Sequence, residues 1–197
     1  MHNDKDSENK HNHGVFLSGK YVNLTVLTEE DVYNSNWYDW FNDEDTTMLT
    51  QHHCFPNTRK KQLEMLNEIN KSENKIQFGI CDVSGGPIVG VVSLQAIDFI
   101  NRKAETSLMM GEQKYRGVKY FIESFSLIIR HGFNSLNLHR IYGGTIIPEI
   151  AELMCRTLGF KQEGIFREDV FKNGKYVDVY NIGLFREEFK EFKGITS

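Results

Sequence analysis

The chain has 197 residues, of which 40% are hydrophobic and 12% aromatic, and its formal net charge is −4. A chain of this size and composition forms one ordinary globular domain with a substantial core. Lysine and arginine are spread along the sequence, which argues against a basic stripe for nucleic acid, and no apolar run approaches the ~20 residues that span a bilayer.

The first 14 residues, MHNDKDSENKHNHG, are polar and show no hydrophobic periodicity. They contain no apolar segment typical of a secretory signal, so we expect a disordered tail before a domain over residues 15–197. Cys54, Cys81 and Cys155 are far apart and form no C-x-x-C pair. This spacing favours reduced thiols in a cytoplasmic protein over disulfides or a structural zinc site.

The sequence pattern of the N-terminal half of the domain predicts one strand and two helices. Residues Lys20–Leu27 alternate apolar and polar side chains, which is typical of a strand. Thr28, with Asp31 three positions later, resembles a weak capping box and begins a helix that extends to about Phe41. A second helix is predicted after Thr58, with leucines and an isoleucine at helical spacing.

The middle of the chain predicts three strands and a long helix. The strands Ile76–Asp82 and Ile88–Asp98 flank a Ser-Gly-Gly-Pro turn and form a hairpin, to which Ala104–Met110 adds a third strand. A helix follows over about Lys119–Asn134, because its apolar residues recur on one face at 3.6 residues per turn.

The C-terminal part predicts a short strand, a helix and a hairpin. The strand Ile141–Ile147 leads to a helix with Pro148 at its first position and Gly159 just past its end. Strands over about Phe160–Arg167 and Val177–Leu184 are joined by an Asn-Gly turn. The order β-α-α-β-β-β-α-β-α-β-β predicts an α+β fold, with one mixed and mostly antiparallel sheet flanked by helices.

The most informative segment is the strand–loop–helix at 104–120. A strand ends, a short polar loop carries Arg116 and Gly117, and a helix begins at once. The backbone N–H groups at a helix N-terminus bind phosphate oxygens, and a glycine lets the backbone approach them closely. By itself this pattern is also compatible with an ordinary strand–helix turn.

Several motifs in order resemble the GNAT superfamily of N-acetyltransferases, over about residues 20–190. The resemblance is best to the branch of ribosomal-protein, spermidine and nucleotide-amino-sugar acetyltransferases. The matching passages are A-E-x-x-x-x-x-G-E at Ala104–Glu112, the pyrophosphate loop at Lys114–Lys119, F-x-x-L-x-L-x-R-I at Phe133–Ile141, L-G-F-x-x-E-G-x-x-R at Leu158–Arg167 and G-x-Y-x-D at Gly174–Asp178.

The resemblance implies that acetyl-CoA is the co-substrate and that the acetyl group moves to a primary amine. It places the backbone of Met109 and Met110, on a splayed strand, against the pantetheine arm. It places the pyrophosphate on the loop and the start of the following helix. The residues expected there are Lys114, Arg116, Gly117, Val118, Lys119 and Tyr120.

The acceptor amine must lose a proton before it attacks a thioester, because a free alkyl amine has a pKa near ~10. Glu105, on the strand beside the loop, is the candidate base, with an ordinary surface carboxylate as the alternative. Tyr115 is the candidate proton donor to the leaving thiolate, with a packing role as the alternative.

The acceptor half is expected in residues 33–55, where aromatic and polar groups suit a sugar or a nucleotide base. Trp37, Trp40, Gln51 and His52 are the candidate substrate contacts, although tryptophans of a first helix are also typical core residues. Adjacent histidines rarely converge on one ion, so His52 with His53 predicts no metal site.

The expected partner is therefore a small-molecule amine, with neither nucleic acid nor membrane, and a homodimer is compatible with the sequence. A nucleotide-linked amino sugar is the first hypothesis for the acceptor; a protein N-terminus, a polyamine and an aminoglycoside are the alternatives. Three departures from the family pattern, Lys119, Pro148 and Cys155, also allow a non-catalytic acyl-CoA-binding module. Cys155 stands where relatives often carry a tyrosine acid.

Overall fold

The computed structural model describes residues 14–48 and 54–194. The predictions of a disordered tail and of Gln51 and His52 as substrate contacts fall outside the described residues, apart from Gly14 at the end of the tail. The described elements are β1 (Val15–Ser18), β2 (Val22–Val26), α1 (Glu29–Asn34), α2 (Trp37–Trp40), α3 (Glu44–Thr47), α4 (Arg59–Lys71), β3 (Ile76–Asp82), β4 (Gly90–Asp98), β5 (Lys103–Met110), α5 (Val118–Asn134), β6 (Arg140–Thr145), α6 (Pro148–Leu158), β7 (Lys161–Lys172) and β8 (Lys175–Phe185).

One sheet carries the fold, in the order β1-β2-β3-β4-β5-β6-β8-β7. The neighbours β5 and β6 are parallel, and the other neighbouring strands are antiparallel. The predicted α+β fold with a mixed, mostly antiparallel sheet is therefore confirmed. The short edge strand β1 adds a strand that the sequence pattern did not show.

The predicted first helix is broken into two short helices. The Ser35 hydroxyl donates to the carbonyl of Asp31 at 2.5 Å and accepts the N–H of Trp37 at 3.1 Å. A serine that bonds to the nearby main chain competes with the helical hydrogen bonds, so α1 ends at Asn34. The polar residues just after Phe41 form α3, whose N-cap Asp43 accepts the N–H of Thr46.

Helices cover both faces of the sheet. On one face, α5 and α6 pack against a large apolar cluster that includes Ile122, Ile128 and Phe133, all almost fully buried. On the other face, α1, α2 and α4 enclose a smaller cluster around Trp37 and Trp40. The predicted apolar stripe of α5 is confirmed, since its members contribute to the larger cluster.

The parallel strands β5 and β6 pair over only three positions. The partners are Lys103 with Arg140, Ala104 with Ile141, and Glu105 with Tyr142. Beyond this point the two strands continue without a ladder between them. The sheet therefore contains a gap that opens toward the C-terminal ends of β5 and β6.

The β7–β8 hairpin projects past the end of β6. Its turn is made by Asn173 and Gly174, with φ values of 50° and 79°, as the Asn-Gly signal predicted. The pairing of β8 with β6 stops at Tyr180, opposite Thr145. The tip of the hairpin therefore lies on the side of the sheet where the gap opens.

Candidate active site

The N-terminus of α5 presents a set of backbone donors. Its N-cap, Gly117, has extended φ and ψ of −88° and 150° and provides no side-chain cap. The N–H groups of Gly117, Val118 and Lys119 donate to no acceptor among residues 14–48 and 54–194, whereas Tyr120 donates to the carbonyl of Gly117 at 3.1 Å. Unsatisfied donors at the positive end of a 17-residue helix are groups of the kind that bind anions such as pyrophosphate in proteins.

Gly117 leaves open space in front of these donors. A Cβ atom added at this position would meet only Cδ2 of Tyr120, at 3.7 Å. The ammonium of Lys119 lies 4.6 Å from the ring centre of Tyr120 and 5.1 Å from that of Tyr21, and the ammonium of Lys114 lies 5.3 Å from the ring of Tyr115. Cations thus flank the site without filling it.

Arg116, predicted as a cofactor ligand, has protein partners instead. Its guanidinium donates to the carbonyls of Met110 and Gly111 at 3.3 and 3.0 Å, and to the hydroxyl of Thr46 at 2.7 Å. Its main-chain N–H donates to Gln113 at 3.2 Å. These contacts argue against Arg116 as a direct phosphate ligand and connect the loop to α3.

The end of β5 is fixed by packing on both faces. Met109 belongs to the smaller apolar cluster and Met110 to the larger one, so both side chains are core residues, and only their main chain faces the gap. The ring of Trp40 lies against the next residue, Gly111, where a Cβ atom would come within 2.0 Å of it. The indole N–H of Trp40 donates to Glu112 at 3.1 Å.

The two tryptophans predicted as substrate contacts are buried, with exposed fractions of 0% for Trp37 and 4% for Trp40. Trp37 has no accessible surface and Trp40 almost none, so neither side chain is placed to contact a substrate that enters from solvent, and the prediction is corrected for both. Trp37 is a core residue. Trp40 acts on the site indirectly, because it positions Gly111 at the start of the loop.

Glu105 lies at the last position where β5 and β6 are paired, with Gln95 of β4 opposite it on one side and Tyr142 of β6 on the other. Their neighbours Ala104 and Ile141 are fully buried under α5 and α6. Since side chains alternate along a strand, Gln95, Glu105 and Tyr142 share the opposite face. All three are half-buried, and their side-chain polar atoms accept or donate no hydrogen bond within the described part of the chain.

Gln95 and Tyr142 were not predicted from the sequence, because only the strand register shows that they lie beside Glu105. Register depends on how distant segments of the chain pair. The ring of Tyr142 lies 5.1 Å from the guanidinium carbon of Arg140, which in turn forms an ion pair with Glu163. The predicted base therefore stands in a row of polar side chains at the head of the gap.

Tyr115, the predicted proton donor, is directed elsewhere. Hydrogen bonds from the hydroxyl and N–H of Ser84 hold the pKa of Asp82 below its ordinary value, against the opposing effect of partial burial, and Tyr115 lies near the same carboxylate. Asp82 ends β3, on the opposite side of β5 from β6. This placement argues against Tyr115 as the donor to a thiolate in the gap.

Pro148 and Cys155, the two residues of α6 that depart from the GNAT sequence pattern, do not disturb the helix. Pro148 occupies the first turn of the helix, as predicted, and Gly159 closes the other end with a left-handed φ of 90°. Burial raises the pKa of the half-buried Cys155 thiol, so it is protonated at neutral pH. Cys155 packs against the larger apolar cluster, as expected for a small structural residue.

The helix α3 lies at the mouth of the gap, between its two walls. From the β5 side, Arg116 donates to Thr46. From the hairpin side, the ammonium of Lys172 donates to the carbonyl of Thr47 at 2.8 Å. The exposed side chains of Glu44 and Asp45 form no ion pair with described residues, so they add two negative charges to a mouth that the Arg116 and Lys172 cations also reach.

A family model described as "Acetyltransferase (GNAT) domain" matches residues 22–152. The chain belongs to the GNAT acetyltransferase family. It is similar to an uncharacterized N-acetyltransferase of Bacillus licheniformis, with 26% identity over 132 residues that cover 66% of this chain and 73% of that protein. It is also similar to spermidine N(1)-acetyltransferase of Escherichia coli, with 30% identity over 112 residues that cover 55% of this chain and 57% of that protein.

The fold is shared with a crystal structure of spermidine N-acetyltransferase from Vibrio cholerae, described as a complex with CoA and spermine. The TM-score is 0.77 at 22% identity, with 86% of this chain and 98% of that chain covered. The match to the GNAT family confirms the expectation from the resemblance, an N-acetyltransferase that uses acetyl-CoA as co-substrate. A nucleotide-linked amino sugar as the acceptor is not supported by these relatives.

In this GNAT protein, the described helices include none that is long and apolar enough to cross a membrane. A cytoplasmic location and a homodimer stay predictions, and gel filtration with light scattering tests the latter. The match to the Escherichia coli enzyme covers little more than half of that protein, so its substrate is not carried over as a finding.

Proposed function

We propose that this chain transfers the acetyl group of acetyl-CoA to a polycationic small-molecule amine, of which spermidine is the type. The observation that carries the proposal is the gap between β5 and β6, which has backbone donors for an anion at its end and a negatively charged helix at its mouth. Relatives that acetylate spermidine support the same substrate class.

The acidic mouth favours an acceptor with several positive charges. Glu44 and Asp45 are exposed at α3, and Asp43 caps the same helix. The Glu44 and Asp45 carboxylates, which form no ion pair with described residues, attract a polyamine and raise its local concentration, an effect that salt screens within about 10 Å at 0.1 M. A neutral sugar would gain nothing from this charge.

Glu105 is the proposed base. Its carboxylate has no hydrogen-bond donor among the described residues and faces away from the α5–α6 core, so it is available to an incoming ammonium. Glu105 first takes one proton from the ammonium, directly or through one water, and the neutral nitrogen then attacks the thioester carbonyl. The C–N bond forms, the C–S bond breaks, and the second proton of the nitrogen passes to the thiolate, so that CoA leaves as the thiol.

An amine panel tests the acceptor. We expect kcat/KM for spermidine and spermine to exceed that for an aminoglycoside, an N-terminal peptide and a nucleotide-linked amino sugar, with CoA release as the readout. The KM for spermidine should rise with salt. The double variant Glu44→Gln with Asp45→Asn should raise it about 5-fold. Glu29→Gln with Glu30→Gln, an exposed acidic pair on α1, is the matched control; equal effects of the two pairs contradict the proposal.

Acetyl-CoA should stabilise the folded chain. A ligand that binds only the native state at 100 times its Kd adds ~2.7 kcal/mol, which corresponds to about 5–11 °C in Tm for a domain of this size. Differential scanning fluorimetry at millimolar acetyl-CoA measures the shift, and adenosine at the same concentration is the control without pyrophosphate. An unchanged Tm in both samples contradicts cofactor binding.

A further inference from the structure

The loop that begins α5 and the helix α3 at the mouth of the gap are joined by one side chain. Arg116 lies next to the anion-binding donors of Gly117 and Val118, yet its guanidinium reaches the Thr46 hydroxyl of α3 at 2.7 Å, across 70 residues of sequence. The same guanidinium is anchored on the carbonyls of Met110 and Gly111, at the end of β5. An arginine held by three acceptors has little freedom to move independently of any of them.

The contact continues into the acidic turn. The hydroxyl and the N–H of Thr46 both donate to the carboxylate of Asp43, which caps α3. The Thr46 oxygen therefore accepts from Arg116 while its proton goes to Asp43, so one chain of hydrogen bonds runs from the cofactor loop to the acidic residues. The helix α3 has only four residues and too few internal hydrogen bonds to hold its own position.

We infer that Arg116 is a positioning residue for the acceptor amine and acts through Thr46. Acetyl-CoA bound at the N-terminus of α5 orders the loop, and the loop orders α3 with its carboxylates at the mouth of the gap. The amine then binds more tightly when the cofactor is present. Because coupling between two ligands is reciprocal, spermidine should in turn tighten the binding of CoA by the same factor.

Thr46→Val tests the inference, because it removes the hydroxyl, keeps the shape and leaves the loop sequence intact. We expect the KM for spermidine to rise about 10-fold, as for the loss of one hydrogen bond to a charged group, while the Kd of CoA alone measured by calorimetry stays within about 2-fold. The ratio of CoA Kd values without and with spermidine should fall toward 1. Thr46→Ser restores the hydroxyl and should behave as the wild type.

Two loop variants complete the design. Arg116→Gln should reproduce the rise in the spermidine KM, and adding Thr46→Val to it should raise the KM no further, because both changes remove one interaction. Lys114 is a cation of the same loop that forms no hydrogen bond to α3 among the described residues. Lys114→Gln should therefore weaken the binding of CoA without changing the spermidine KM. If Arg116→Gln weakens the binding of CoA measured without spermidine and leaves the spermidine KM unchanged, Arg116 acts on the cofactor and the inference is wrong.

The inference rests on the proposed function for its choice of amine. Different results would contradict the positioning role of Arg116 and the proposed substrate class. A wild-type protein that does not acetylate spermidine contradicts the substrate class. Normal spermidine turnover with an unchanged KM in Thr46→Val contradicts the positioning role of Arg116 and leaves the substrate class intact.

Discussion

Gly117→Asp is expected to abolish detectable acetyl-CoA binding while leaving the folded chain as stable as the wild type. The added carboxylate would stand at the N-cap of α5, beside the unsatisfied N–H groups of Val118 and Lys119. Two like charges 4 Å apart repel by about 4 kcal/mol at the effective dielectric near a protein surface. We expect calorimetry to show an affinity at least about 100-fold lower, or ~2.7 kcal/mol.

The stability side of this prediction follows from the local geometry. The position has a negative φ of −88°, and its Cβ would meet only Tyr120, at 3.7 Å, so an aspartate fits. Aspartate is a better N-cap than glycine by a few tenths of a kcal/mol and interacts favourably with the helix dipole. The Tm without ligand should therefore be equal or slightly higher.

Gly117→Asn is the matched control, since it has the same size and the same capping ability but carries no charge. A smaller loss of affinity in Gly117→Asn than in Gly117→Asp assigns the difference to repulsion of a bound anion. If calorimetry gives wild-type affinity for both variants, the pyrophosphate binds elsewhere on the protein.

Glu105→Gln is expected to lower kcat/KM at neutral pH by about 10²–10⁴-fold, the usual contribution of a general base. The substitution preserves the size of a half-buried side chain and removes its ability to accept a proton. The loss should shrink at high pH, because more of the amine, with a pKa near ~10, is then already neutral. Acetyl-CoA binding should be unchanged, since the side chain lies at the head of the gap and not at the α5 donors.

The pH–rate profile of kcat/KM for spermidine provides the measurement. Glu64→Gln, the same chemical change on the exposed surface of α4, should follow the wild-type profile. Glu105→Asp retains a carboxylate but shortens the side chain by one methylene, which moves the carboxylate away from the amine. Its kcat/KM should lie between the values for the wild type and Glu105→Gln. Wild-type and Glu105→Gln profiles that coincide in shape and height would show that the proton leaves by another route, and Glu105 would be a surface carboxylate.

The sequence by itself determined those parts of the protein that depend on local pattern. The apolar stripe of α5, the limits of α6 at Pro148 and Gly159, and the Asn173–Gly174 turn agree with the structure. Each is encoded within a few residues, by helical periodicity, by the missing N–H of proline, or by the left-handed φ that glycine and asparagine tolerate. The strand–loop–helix with the unobstructed Gly117 is likewise encoded within a few residues of sequence.

The tertiary structure alone decided which side chains meet. The partnership of Arg116 with Thr46, the register that places Tyr142 opposite Glu105, and the burial of Trp37 depend on the pairing of segments far apart in the chain. A local pattern predicts that a strand exists, but a shift of one residue in its pairing would turn every side chain to the other face. Register and packing are set by the whole core, and for that reason the acceptor side of the gap was not predictable from the sequence.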